Sequence, residues 1–238
     1  MLTSKRPKED NKAFFSPQLS LDDQSIMNST ETESILVGLT GGIASGKSTV
    51  IRYLRDNGYS IIDADKLGHR VLEPGTHGYK KVVETFGKGI LHPEGTVNRP
   101  ALGKIVFLDP QKLKRLNEIS HPIIADMIQK EYEKLVSDCV RKIVFLEAAI
   151  LIEANWHKVC QHIWVVTLDP AIAIQRLQAR DGLSYIEANA RLEAQLAPED
   201  RLAYADLILK NDATKEDLIT KTQQALQDLK LSRVARHS

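Results

Sequence analysis

A single eight-residue stretch constrains this chain more than any other: Gly41-Gly42-Ile43-Ala44-Ser45-Gly46-Lys47-Ser48. It fits the phosphate-binding loop pattern G-x-x-x-x-G-K-[ST], with a strand-like run before it and a helix-like run after it. Glycines allow consecutive backbone N–H groups to turn towards a triphosphate, and the positive end of the following helix points to the same place. We therefore predict a triphosphate site rather than a glycine-rich turn that binds nothing, with Lys47 at the β- and γ-phosphates and the Ser48 hydroxyl on Mg²⁺.

Strand-like and helix-like segments alternate along the chain, which predicts an α/β fold with a five-stranded parallel sheet and helices on both faces. The predicted strands cover residues 35–39, 59–62, 142–147, 162–168 and 205–209. With 238 residues, 42% of them hydrophobic, the chain can bury the core of one such domain.

Composition argues against several classes of protein. A formal net charge of +1 gives no electrostatic support for a nucleic-acid partner, and no stretch approaches the roughly 18 apolar residues that membrane insertion needs. Cys139 and Cys160 are too few for a disulfide framework or zinc site, which predicts a reducing, cytoplasmic setting, with mitochondrial association left open. Residues 1–34 have no periodic pattern and no apolar secretory segment, so we expect a disordered leader.

Two carboxylates, Asp63 and Asp65, follow the second predicted strand. Ligands of open parallel sheets bind beyond the carboxyl ends of the strands, so this pair is expected near the phosphates, on one side of an extended chain. We expect Asp63 to orient water on Mg²⁺ and Asp65 to accept a proton from an attacking hydroxyl group. The alternative is that both only cap a helix that begins near Lys66.

Residues 66–138 read as helices and loops without a central strand, and an insertion at this place is where kinases hold the group to be phosphorylated. Asn98 is a candidate helix cap. Arg99 suits an anionic acceptor because its planar guanidinium binds phosphate or carboxylate in bidentate fashion. His121, before Pro122, is either a ligand contact or a hydrogen-bonding group at a helix boundary.

The third predicted strand ends in Glu147, where a Walker B carboxylate would lie. Glu147 is therefore expected either at the water shell of Mg²⁺ or facing the acceptor.

After the fourth strand, a helix opened by Asp169-Pro170 carries Arg176 and Arg180 on one face. Gly182 interrupts it, and Ser184-x-x-Glu187 forms a capping box for a second helix. Two arginine-rich helices joined at a glycine predict a mobile lid over ATP, residues 170–200. We expect Arg180, beside the break, to neutralise charge on the γ-phosphate; Arg191 is a weaker candidate, and Arg176 is either a further one or a solvated surface residue.

Together these residues resemble the dephospho-coenzyme A kinase family, in order from about Ile35 to Leu229. The matching segments are Gly38-Leu39-Thr40-Gly41 to Ser48, Asp63-Ala64-Asp65, Glu73-Pro74-Gly75, Asn98-Arg99 with Val106-Phe107, His121-Pro122, Arg180-Asp181-Gly182-Leu183-Ser184, Arg191 with Gln195, and Ala205-Asp206 with Asn211. The resemblance implies a P-loop kinase fold and ATP- and Mg²⁺-dependent phosphorylation of the ribose 3′-hydroxyl of dephospho-coenzyme A, the last step of coenzyme A biosynthesis.

The resemblance also implies roles for individual residues. Asp65 would be the general base, Lys47 and Ser48 would bind phosphate and Mg²⁺, and Arg180 would be the lid arginine. The implied ATP-binding residues are Gly41, Gly42, Ile43, Ala44, Ser45, Gly46, Lys47, Ser48, Thr49, Arg180 and Asn211, the last at the nucleotide base. The implied acceptor-binding residues are Asp65, His69, Arg99, His121 and Glu147.

Many members of that family have an Asp-x-Pro-Leu-Leu segment after the third strand, whereas this chain has Glu147-Ala148-Ala149-Ile150-Leu151 without the proline. This variant, together with Leu67-Gly68-His69-Arg70, resembles the kinase domain of bifunctional coenzyme A synthases. The implied kinase domain spans residues 35–230, followed by a flexible tail at 231–238, and we expect a monomer, with an oligomer left open. Two alternatives stay open: a different small-molecule phosphotransferase, such as a nucleoside monophosphate kinase, and a non-catalytic nucleotide-dependent module.

Overall fold

The computed structural model describes residues 34–137 and 142–235. The leader was predicted over residues 1–34; residues 1–33 of it, and Cys139, lie outside this part of the chain. Within it, five strands form one parallel sheet in the order β2-β3-β1-β4-β5. The strands are β1 (Ile35–Gly41), β2 (Ser60–Asp63), β3 (Ile143–Glu147), β4 (His162–Thr167) and β5 (Leu207–Lys210). The predicted five-stranded parallel sheet is confirmed.

Nine α-helices surround the sheet in the described ranges. They are α1 (Lys47–Asp56), α2 (Ala64–Val71), α3 (His77–Phe86), α4 (Arg99–Phe107), α5 (Pro110–Val136), α6 (Pro170–Asp181), α7 (Tyr185–Glu193), α8 (Pro198–Leu202) and α9 (Lys215–Ala235). Helix α9 continues to Ala235, so the first five residues of the predicted flexible tail, 231–235, are helical.

Both faces of the sheet are covered, as a parallel sheet requires. Helices α1 and α9 pack on one face, where the fully buried Phe145 contacts Trp164 with ring centroids 5.3 Å apart. Helices α2 and α5 pack on the other face, in one core with the strand residues Leu36 and Ile163. Helices α3 and α4 add a separate small core centred on Val82 and Leu102, which lies against α5.

Several helix starts follow directly from side-chain caps. Asn98 accepts a hydrogen bond from the Ala101 N–H, and Asp169 accepts one from the Ala171 N–H, as expected of N-cap residues. The capping box of Ser184 and Glu187 is present with both of its hydrogen bonds. Gly182 ends α6 with φ 69°, in the left-handed region that glycine adopts without steric cost.

The structure corrects two predicted helix boundaries. Helix α2 begins at Ala64 rather than near Lys66, so Asp65 lies in its first turn and not in an extended chain. Helix α5 runs through Pro122, so His121 is not at a helix boundary. Proline removes one N–H donor from the helix, but the buried side chains Ile119 and Ile124 on either side of it hold both halves of α5 in the core.

Candidate active site

The phosphate loop leaves the carboxyl end of β1 in a conformation that depends on positive φ angles. Ala44 has φ 59° and Gly46 has φ 95°, and the Thr49 N–H donates to the Gly46 carbonyl as α1 begins. Alternating left- and right-handed residues turn successive N–H groups to one side, which forms a concave anion site. A Cβ atom at position 46 would also overlap the Asn211 amide nitrogen, so this position requires glycine for space as well as conformation.

Two side chains support this loop through its carbonyl groups. Asn211 is buried, and its Nδ2 donates to the Ser45 carbonyl at 2.8 Å. Arg176 donates to the Asn211 carbonyl at 3.0 Å and to the Ala44 carbonyl at 3.4 Å. The view of Arg176 as a solvated surface residue is therefore wrong. The Asn211 amide group supports the loop, and its contact with a nucleotide base stays a prediction.

Lys47 lies beside the end of the third strand. Its Nζ is 3.8 Å from Glu147 Oε1, and Arg55 Nη2 is 3.7 Å from Glu147 Oε2. Burial raises the pKa of Glu147, Lys47 and Arg55 oppose that rise, and the nearby Asp63 and Asp65 add to it. The loop lysine and three carboxylates are thus close enough to affect one another electrostatically.

Strand register explains this convergence. Glu147 is the β3 residue paired with Leu39 of β1 and with Asp63 of β2. The carboxyl ends of three adjacent parallel strands therefore meet at one edge of the sheet, where ligands of such sheets bind.

Asp63 and Asp65 differ in their surroundings. Asp63 caps α2 by accepting a hydrogen bond from the Lys66 N–H at 3.0 Å, and its other oxygen lies 3.3 Å from Lys66 Nζ. Asp65 is exposed in the first turn and does not provide that cap. Only one of the two carboxylates has the capping role considered from the sequence, and Asp65 is open to solvent.

The residues predicted to hold the acceptor lie on the inserted helices. Arg99 donates to the His69 carbonyl at 3.0 Å, which joins α4 to α2, and both side chains are exposed. His121 packs edge-on against Trp156, and the Trp156 indole donates to the His121 carbonyl at 3.1 Å. Burial lowers the pKa of His121, which lines a pocket of about 720 Å³ beside α5.

The arginines of the predicted lid are paired with a carboxylate of their own segment. Arg180 binds Asp181 through Nε at 2.7 Å and through Nη2 at 2.9 Å, and Arg191 lies 3.2 Å from the same carboxylate. This pairing raises the pKa of Arg180 and lowers that of Asp181. In this conformation Arg180 is turned to its neighbour in the chain.

Sequence reasoning gave no role to two residues that lie against the loop. Gln195 accepts a hydrogen bond from the Ile43 N–H at 2.8 Å, and Arg201 of α8 is buried beside Gly42. Both line a pocket of about 370 Å³ between the loop and helices α6 and α7. The resemblance to the kinase family included Gln195 and could have indicated a role for it. No sequence pattern indicates Arg201, because α8 is too short to have a periodic face.

A magnesium ion, if bound, would need ligands beyond the protein. Over the described residues, no group of three or more His, Cys, Asp or Glu side chains could hold a metal ion. Magnesium commonly takes one or two protein oxygens and completes its shell with phosphates and water. Ser48 and Asp63 at the sheet edge fit that pattern.

None of the helices in the described ranges combines the length and the apolar character that crossing a membrane requires.

Comparisons with known proteins agree on one family. A family model described as dephospho-CoA kinase matches residues 35–217. A dephospho-CoA kinase from Carboxydothermus hydrogenoformans is 42% identical over 193 residues, covering 79% of this chain and 93% of the relative. One from Oryza sativa is 38% identical over 195 residues, covering 82% and 84%.

Two solved structures are similar to this chain over nearly their whole length, and one of them is described as a dephospho-CoA kinase. A dephospho-CoA kinase from Campylobacter jejuni is 29% identical with a TM-score of 0.64, covering 82% of this chain and 97% of its own. The protein TT1252 from Thermus thermophilus is 32% identical with a TM-score of 0.69, covering 83% and 98%. The narrower resemblance to bifunctional coenzyme A synthases is not tested by these matches and stays a prediction.

Proposed function

The chain belongs to the dephospho-CoA kinase family, and we propose that it transfers the γ-phosphoryl group of ATP to the ribose 3′-hydroxyl of dephospho-coenzyme A, with Asp65 as the general base. Phosphoryl transfer is supported most strongly by the meeting of the phosphate loop, Lys47 and three carboxylates at one sheet edge. The identity of the acceptor is supported by the family match. Phosphoryl transfer requires little more from a protein than positioning and charge stabilisation, and this edge offers both.

ATP would lie with its phosphates on residues 41–49, held by loop N–H groups and by Lys47. Glu147 Oε1 lies 3.8 Å from Lys47 Nζ and keeps the ammonium group at the carboxyl end of β3. Ser48 would hold Mg²⁺ directly and Asp63 would do so through water. When bound, this ion neutralises charge on the β- and γ-phosphates.

The acceptor hydroxyl would approach from the side of the inserted helices. Asp65 is exposed at the start of α2, so its carboxylate is accessible to a substrate hydroxyl without breaking a helix cap. One N–H of Arg99 is bound to the His69 carbonyl, and its remaining donors are suited to the diphosphate of the acceptor. His121 is assigned to the acceptor as well, because it lines the larger pocket on α5.

Closure of the lid completes the site in this proposal. Arg180 is exposed and bound to Asp181, and both groups are on the surface of the lid. On closure, Arg180 would exchange that carboxylate for the γ-phosphate, where its charge stabilises the transferring group. Asn211 would contact the nucleotide base from beneath the loop.

A coupled assay of ADP release with alternative acceptors tests the proposal. We expect the full chain to turn over dephospho-coenzyme A at least about 100-fold more efficiently than AMP, CMP or shikimate, because only the first fits the acceptor contacts. Mass and ³¹P spectra of the product should place the new phosphate on the 3′-oxygen. Preference for AMP or CMP would instead assign the chain to the nucleoside monophosphate kinases, and ATP binding without turnover on any acceptor would assign it to the non-catalytic modules.

A further inference from the structure

We propose that Arg201 is a second, fixed binding site for the γ-phosphoryl group of ATP, separate from the mobile lid arginines. The inference rests on the proposed function, since it assumes that the loop binds ATP. Arg201 lies on α8, is only 5% exposed, and borders the pocket between the loop and the lid.

The guanidinium of Arg201 is incompletely paired. Its Nε has no hydrogen-bond partner among the residues that the structure describes, and its closest carboxylate is Glu153, with 3.7 Å between Nη2 and Oε1. An arginine side chain carries five N–H donors and remains charged, so burying it with one distant counter-ion is unfavourable. Burial also lowers the pKa of Arg201, while Glu153 opposes this effect. A buried and incompletely paired charge beside a pocket is typical of sites where a ligand supplies the missing partner.

The position of the guanidinium identifies that ligand. A methyl group on Gly42 would come within 3.4 Å of Arg201 Nη1 and of Gln195 Oε1, so these two polar atoms are adjacent to the second residue of the phosphate loop. Glycine at 42 leaves this space open. An anionic oxygen placed there would be adjacent to the loop and to Arg201 together. In a loop that holds a triphosphate, the group that reaches beyond the cradle towards the acceptor is the γ-phosphoryl group.

Attachment to the rigid body of the fold distinguishes Arg201 from Arg180. Helix α8 begins with Pro198, within the last residues of the predicted lid, but Leu202, directly after Arg201, packs against the sheet core. We therefore expect Arg201 to stay beside the loop when the lid moves. A fixed cation requires no reorganisation when charge develops in the transition state. The lid arginine would then add a second charge only after closure.

Calorimetric titration of the full chain with Mg²⁺ and either ADP or the ATP analogue AMP-PNP tests the proposal without an acceptor. In the variant Arg201→Lys the affinity for AMP-PNP should fall about 10-fold relative to ADP, because only AMP-PNP has the third phosphate and lysine cannot reproduce bidentate contact. In turnover, kcat should fall about 10²–10³-fold. Glu153→Gln should leave the ratio of the two affinities within about 3-fold of wild type.

A double variant, Arg201→Gln with Glu153→Gln, removes both charges together and guards against misfolding of the single variant. Its affinity for AMP-PNP relative to ADP should fall as it does in Arg201→Lys, and its melting temperature should stay that of wild type. The proposal would be overturned if Arg201→Lys weakened ADP and AMP-PNP binding equally. It would also be overturned if Glu153→Gln lowered the affinity for AMP-PNP relative to ADP as much as Arg201→Lys does. Either result would make Arg201 a structural residue. An unchanged ratio with a raised KM for dephospho-coenzyme A would also overturn it, and would assign Arg201 to the acceptor. Failure of wild type to phosphorylate any acceptor would contradict the proposed function without altering the titration result.

Discussion

Replacing Asp65 by asparagine should remove catalysis and leave the fold intact. The cap of α2 is made by Asp63, so asparagine at 65 breaks no hydrogen bond that the helix start depends on. The loss is limited to the favourable interaction of an exposed acidic group with the helix N-terminus, about 0.5 kcal/mol. For a domain of this size that corresponds to a melting temperature lower by about 1–2 °C.

The effect on turnover should be far larger. A positioned general base contributes about 10²–10⁴-fold, so kcat of Asp65→Asn should fall by at least about 10², equivalent to about 3 kcal/mol of transition-state stabilisation. The Kd for ADP should change by less than about 2-fold, because the phosphate loop and its supports Asn211 and Arg176 are untouched.

Two further variants make the comparison decisive. Asp63→Ala removes the cap and should cost about 1 kcal/mol, or about 2–4 °C in melting temperature. Asp56→Asn, at an exposed position at the end of α1, should alter neither stability nor rate. The assays are thermal melting by circular dichroism and coupled ADP release with saturating dephospho-coenzyme A. A kcat for Asp65→Asn within about 3-fold of wild type, or a melting loss equal to that of Asp63→Ala, would refute the assignment of Asp65.

Three other perturbations probe the loop, the lid and the buried carboxylate. Gly46→Ala forces φ 95° on an L-residue and a Cβ into the Asn211 amide, so melting should fall by at least about 4 °C and ADP binding should weaken; unchanged binding would contradict the account of the loop. Arg180→Gln should lower kcat about 10²–10³-fold without altering melting, because the side chain is exposed and bound only within the lid; a rate near wild type would remove it from the transition state. Burial raises the pKa of Glu147, so the folded chain binds the proton of this carboxyl group more tightly than the unfolded chain does. The contribution of Glu147 to the free energy of unfolding therefore falls as pH rises from the ordinary Glu range through the raised pKa of the folded chain. Melting of Glu147→Gln should therefore improve relative to wild type as pH increases across that window, and a relative decline would show that Lys47 and Arg55 outweigh burial.

Local chemistry was sufficient to predict the features that depend only on residues near one another in the sequence. The loop could be predicted because its glycines, Lys47 and Ser48 act within a few residues of one another. The same is true of the Asn98 cap, the capping box at Ser184 and the turn at Gly182, since each is a backbone conformation or hydrogen bond spanning at most three positions.

Of the two helix boundaries that sequence reasoning missed, one was decided by packing and the other by which residue caps the helix. Helix α5 continues through Pro122 because buried side chains on both sides of it fix the helix in the core, and this compensates for one lost N–H donor. Helix α2 begins two residues earlier than expected, since Asp63 rather than a later residue reaches its free N–H groups. Because of this shift, Asp63 is the cap of α2, whereas Asp65 lies exposed in its first turn.

By itself, the sequence determined that the chain is an α/β protein with a triphosphate loop, and its ordered motifs resembled one kinase family. Only the tertiary structure decided what surrounds the loop: Asn211 and Arg176 beneath it, Glu147 beside Lys47, and Arg201 against Gly42. These partners lie on other strands and helices, and in the case of Asn211 the loop carbonyl that it binds is 166 positions away. Periodicity and turn chemistry describe a residue's immediate neighbours, whereas burial and charge depend on elements that only the folded sheet brings together.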